Sequence, residues 1–279
     1  MTADSGVDRS ALIAARQGLV PVKRNGRFDG FENILRKELG DWFGTRRWIV
    51  QTILWLVIIN GLMAFILFAV PSIDPSEQVS AEENLAIALD LYFNFAILFG
   101  SIGMIILTQD EIIQEKQSGT AAWLLSKPVS RSAFILAKLL SGLVGGLVFI
   151  AGLTAAAAYV ETYLVSHQTV QLSSYLMGTG VVLLALVFYL TMVIMLGAIF
   201  EQRGALLGIA VGVLLGGLIA SQFTPLVSYF LPVNMADIAL AVVQKQPLPL
   251  AAVSQLVATG VWSLLFTSVA LWVFGREEF

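Results

Sequence analysis

The chain has 279 residues, of which 57% are hydrophobic and only 13% charged, with a mean hydropathy of +0.83. A soluble globule carries about 25% charged residues, so too little polar surface exists here to cover a water-exposed body, and the composition specifies a membrane domain. A net charge of −3 leaves no basic face for nucleic acid, zero cysteines remove disulfides, thiolate catalysis and Cys-based metal sites, and the single histidine, His167, cannot form a cluster.

Residues 1–28 are mixed in character, with Pro21, glycines and scattered charges. The apolar piece 11–15 is too short for a signal-peptide core, and a cytosolic tail is expected. From Asp29 the pattern changes, and residues 29–47 are expected to form an interfacial helix. Asp29 and Glu32 are spaced as a capping box. Phe31, Ile34, Leu35, Leu39, Trp42 and Phe43 recur at helical spacing, while Glu32, Arg36, Lys37, Glu38 and Asp41 fill the other face. Such a helix beside a span is expected to lie in the interface with its aromatics at the acyl boundary.

Six apolar runs then occupy 48–70, 85–108, 133–160, 174–200, 204–224 and 251–274. Each is long enough to cross a hydrocarbon core of about 30 Å as a helix, and backbone groups in lipid must be satisfied internally. An all-α membrane protein is therefore expected, with 48–279 as a six-span domain. With both termini inside, every lysine and arginine except Lys245 falls on the cytosolic side, as the positive-inside rule requires. The outer segments are short. In the longest, Asn234 is placed to cap a short apolar helix, MADIALAVV, at the outer surface.

The interval 109–131, QDEIIQEKQSGTAAWLLSKPVSR, is more structured than a connection needs. Ile112 and Ile113 oppose Glu111, Glu115 and Lys116, which predicts a short amphipathic helix. Gly119 breaks it, Thr120 starts a second turn, and Lys127-Pro128 stops that turn. Ser130 is placed to cap the next helix, with Arg131 at its first position.

The order Glu111, Glu115, Gly119-Thr120, Leu124-Leu125-Ser126, Pro128, Ser130-Arg131 and Lys138 resembles the type-2 permease family of ABC exporters. The resemblance implies that Glu111, Ile112, Glu115, Gly119, Thr120, Leu124, Leu125, Pro128 and Arg131 belong to a coupling helix moved by a separate ATPase. It also implies an elbow helix at 29–47, a homodimer, and two ATPase copies that carry the ATP and magnesium. The expected location is the plasma membrane. A solvated loop without a partner is the plain alternative for this interval, and a channel, carrier or membrane anchor is the alternative function.

No catalytic constellation and no phosphate-binding loop is found, so no cofactor is expected on this chain. Asp90 and Asn94, one turn apart and next to Phe95, either line a substrate path or reach for headgroup water. Asn60 and Gln255 are expected to hydrogen-bond between helices. Gly204, Gly208, Gly212 and Gly216, each four residues apart, form a groove for close helix packing. Most such grooves pack helices within one subunit, and Gly142, Gly145 and Gly146 of the third run are the expected mate; a subunit interface is the alternative.

Overall fold

The structure is a computed structural model and describes residues 28–69, 71, 80–121 and 129–277. Leu124, Leu125 and Pro128 lie outside these residues. No strand occurs among the described residues.

Helix α1, Phe31–Phe43, precedes six helices long and apolar enough to cross a membrane. These are α2 (Arg47–Ala69), α3 (Ala81–Gln117), α4 (Arg131–Ser166), α5 (Leu172–Ile199), α6 (Arg203–Phe223) and α8 (Leu250–Arg276). The short α7, Met235–Val243, sits between α6 and α8. The spans agree with the apolar runs except where α3 and α4 continue past their predicted ends. The backbone N–H groups of a helix start need acceptors, and two starts have them: Ser80 and Glu83 form a capping box for α3, and Ser130 Oγ accepts from Ala133 N at 3.1 Å for α4.

Helix α5 is the most enclosed span, packed against α8, α7 and α3. Spans α2, α6 and α8 are the most exposed. One end of the bundle gathers α1, the end of α3, the start of α4 and residues 275–277; it is called here the basic end.

Helix α4 contains a π-helical stretch, Gly146–Gly152, and α2 contains two, Leu56–Gly61 and Phe65–Ala69. A π turn shifts the ladder from i→i+4 to i→i+5, which disturbs the pairing of nearby carbonyls. Three side chains from other spans meet the α4 carbonyls here. Asn60 Nδ2 donates to Thr154 at 3.1 Å, Tyr175 OH to Ala155 at 2.8 Å, and Tyr92 OH to Ala151 at 3.5 Å. Asn60 thus makes the expected bond between helices, whereas Gln255 donates at 2.6 Å to the carbonyl of Leu231 in the non-helical segment before α7.

Three expectations are corrected. The Asp29–Glu32 capping box does not form: Gly30, at φ 79°, takes the cap position, and Glu32 pairs with Arg36 instead. The α1 aromatics do not all face lipid. Trp42 is buried, stacked on Phe149 at 5.6 Å, because Gly145 leaves room for its ring. Helix α7 forms at the expected place but without its expected cap. Its apolar residues Met235, Ile238 and Ala239 are buried against α3 and α5, where Gly178 permits close approach, and Asn234 bonds Ser228 without capping.

Candidate functional site

The interval that the sequence singles out is the end of α3. Beyond Thr108 the helix passes a single turn residue, Gln109 in right-handed helical geometry, and continues as Asp110–Gln117. The predicted separate amphipathic helix is thus an extension of the second span. Ile112 and Ile113 are fully enclosed, with Ile112 resting on Gly197 of α5. Burying that apolar pair holds the extension against the bundle.

Polar contacts clamp it further. Asp110 pairs with Arg203 at 2.7 Å, at the start of α6. Lys116 Nζ reaches Glu277 at 2.7 Å and donates to the Ala198 carbonyl at 2.8 Å. Gln117 Nε2 donates to the Glu201 carbonyl at 2.8 Å. The ends of α5 and α8 and the start of α6 are therefore all tied to one helical extension.

On its other side lies an ion cluster centred on Lys138 of α4, whose side chain is 4% exposed. Its ammonium meets Glu38 at 2.9 Å, Glu111 at 3.1 Å and Glu115 at 2.8 Å. The ammonium donates hydrogen bonds to Glu111 and Glu115, and Glu38 stands at ion-pair distance. Lys37 adds contacts to Glu115 at 3.2 Å and Glu38 at 3.3 Å, and Arg47 stands 4.0 Å from Glu111 while stacking over Trp42. Desolvation alone would lower the Lys37 pKa, but Glu38 and Glu115 outweigh it and hold it above its ordinary value. The cluster borders a cleft of about 470 Å³ with Asp41, Gln51, Gln114, Ser118 and Thr120 on its walls. It joins α1, α2, α3 and α4 through charge, with three cations facing three carboxylates.

This geometry relocates several expected site residues. Glu111 and Glu115 are turned inward onto Lys138 and do not project into solvent, because the buried ammonium needs them more than water does. Gly119 does break the helix, at φ 72°, and helical geometry resumes at Thr120. Arg131 donates to the Gly275 carbonyl at 2.8 Å, tying α4 to the end of α8.

The other candidates lie elsewhere. Asp90 and Asn94 are exposed on α3 and bonded to each other, Nδ2 to Oδ1 at 3.0 Å, while Phe95 is half-buried against Phe99. The glycine stripe is a correction. A Cβ at Gly204, Gly208, Gly212 or Gly216 would find nothing within 4 Å, so the stripe packs on no other part of the described chain. The buried face of α6 is the opposite one, Leu206, Ala210, Leu214 and Gly217. Gly142, Gly145 and Gly146 instead receive Leu190, Trp42 and Met104.

Glu38 is the residue of the cluster that sequence reasoning misplaced. Its charge put it on the polar face, yet it shares the buried stripe of Ile34 and Trp42 at i, i+4, i+8. The available signal was that spacing, together with a lone lysine within an apolar run.

A family model described as ABC-2 family transporter protein matches residues 32–279. The chain belongs to the ABC-2 transporter family. Six candidate spans and this membership make it a multi-pass membrane protein, the membrane component of a transport system. The match takes in α1, all six spans and the Lys138 cluster, so the ABC-2 assignment covers the whole candidate site. No curated protein matches the chain.

Proposed function

We propose that this ABC-2 chain is the permease subunit of an ATP-driven exporter. In this reading two copies pair, two copies of a separate ATPase bind at the basic end, and that end faces the cytosol of a cell whose plasma membrane holds the complex. ATP and magnesium act on the ATPase. The observation that carries the reading is the continuity of α3. Its 37 residues run about 55 Å from Ser80 to the turn at Ser118–Thr120, longer than a bilayer core, as one nearly unbroken rod. A load applied at that turn would pass to Asp90 and Asn94 near the far end. The ion cluster and clamps would pass it to α1, α4, α5, α6 and α8 as well.

The open glycine stripe supports pairing. In lipid, a helix face that lets backbones approach closely is an association face, and nothing in the described chain covers it. Exposed Asp90 and Asn94 fit the same picture, since polar groups at membrane depth face protein or water and seldom lipid. The path for cargo would then run between the copies, past Asp90, Asn94 and Phe95. An elbow role for α1 and a coupling role for residues 111–125 complete the reading.

Thiol labelling tests it, because the chain has no cysteine of its own. Ser118→Cys should resist an impermeant reagent in intact cells, react in permeabilised membranes, and be shielded when the ATPase is added. Gln246→Cys should react from outside. Labelling of Ser118→Cys in intact cells would reverse the orientation, and no shielding by the ATPase would remove the coupling role.

A further inference from the structure

The charges of the α3 extension are spent inside the chain, which constrains what its free surface offers. Asp110 has Arg203, Glu111 has Lys138, Glu115 has Lys138 and Lys37, and Lys116 has Glu277 and the Ala198 carbonyl. Four ionised groups are thereby neutralised at 3.2 Å or closer. Among the described residues of the extension and its turn, those left exposed are Gln114, Gln117, Ser118 and Gly119. Gln117 is held by the Glu201 carbonyl, and the Ser118 hydroxyl by Thr120 at 2.8 Å. The Gln114 side-chain amide has no hydrogen-bond partner among the described residues and borders the cleft. Gly119 has open space where a side chain would stand.

We infer that the permease presents its ATPase with an uncharged, hydrogen-bonding tip, centred on Gln114, Ser118 and Gly119, and that Glu111 and Glu115 serve as an internal lock. This inference rests on the coupling role proposed above and specifies its chemistry. The tip is the C-terminal end of a helix, where Ser118 N, Ser118 Oγ and Gly119 N already serve the carbonyls of Gln114, Glu115 and Lys116, so what it offers outward is the Gln114 amide and the backbone at Gly119. With the charged side chains of the described extension paired within the chain, the complementary surface is one of neutral hydrogen-bonding groups: backbone N–H groups, amides and hydroxyls. Gly119 lets that surface approach the backbone, and any side chain there would be held at φ 72°, a strained conformation for an L-residue. A carboxylate docking mode would require Glu115 to leave a lysine that also holds Glu38 and Glu111.

Association of the purified permease with its ATPase tests this directly. Gln114→Glu and Gln114→Lys should each weaken binding by about tenfold or more, because either sign of charge would be desolvated against a neutral partner. Glu115→Gln should leave affinity within about threefold of the unmodified chain while lowering the temperature at which the permease unfolds. Opposite effects of Gln114→Glu and Gln114→Lys, one tightening and one loosening, would overturn the inference and indicate an ionic partner. So would loss of affinity in Glu115→Gln with unfolding unchanged. Failure of the unmodified permease to bind the ATPase at all would instead overturn the coupling reading itself, and the inference with it.

Discussion

Lys138 lies in an apolar helix, where an unpaired ammonium would be costly, and three carboxylates from two other helices surround it. Removing the lysine leaves them only Lys37 and Arg47 at the edge of the cluster. Lys138→Met is expected to cost about 3–5 kcal/mol, because a buried pair that loses one partner leaves uncompensated charge. Glu38→Gln should cost less, since Lys138 keeps Glu111 and Glu115. Thermal unfolding of the detergent-purified variants would rank them, and equal midpoints would show that the cluster bears no load. Glycines make a parallel case. A Cβ at Gly145 would stand 2.7 Å from the Trp42 ring, so Gly145→Ala should cost about 1–3 kcal/mol by overpacking. The sequence made Lys138 visible as an isolated charge but not its partners. Charge alone assigned Glu38 to the wrong face of α1, because amphipathic reading assumes that ionised residues seek water. A buried counter-ion reverses that assumption.

At the scale of elements, α4 is the helix most altered by its neighbours. Carbonyls in and just after its π stretch take donors from α2, α3 and α5: Tyr92 serves Ala151 within it, and Asn60 and Tyr175 serve Thr154 and Ala155 beyond it. Tyr175→Phe keeps the ring and its packing against Tyr159 while removing the hydroxyl that serves the Ala155 carbonyl. That carbonyl has little water to turn to, and a loss of about 1–3 kcal/mol is expected. Hydrogen exchange around residues 151–159 should accelerate; unchanged exchange would mean that the π stretch holds itself. The spans themselves were legible from apolar length, and their predicted ends agree closely except at α3 and α4. Those two run on because polar segments that looked like loops, DEIIQEKQ and the residues after Val160, are stabilised by tertiary contacts that local pattern does not encode. Helix α7 was legible along the chain, but its packing on α3 and α5 was not. Burial of Met235 and Ala239 depends on Gly178, a distant residue.

For the whole molecule, the exposed faces decide how copies meet. Gly208→Leu or Gly212→Leu should raise the monomer fraction in mild detergent and leave unfolding of the monomer nearly unchanged, since neither position touches the rest of the chain. A dimer that persists alongside a destabilised monomer would return the stripe to an internal role. The central claim is that the basic end moves the far end through α3 and its ion lock. It is best tested by the labelling rate of Asn94→Cys in the reconstituted complex, with and without ATP and vanadate, because that readout needs no knowledge of the cargo. In the otherwise unmodified chain the rate should change several-fold when nucleotide is trapped. With Glu115→Gln and Lys138→Met added, the ATPase should still bind but the nucleotide-dependent change should vanish. A rate at Asn94→Cys that ignores nucleotide in the intact chain, or that responds equally with the lock removed, would contradict the account.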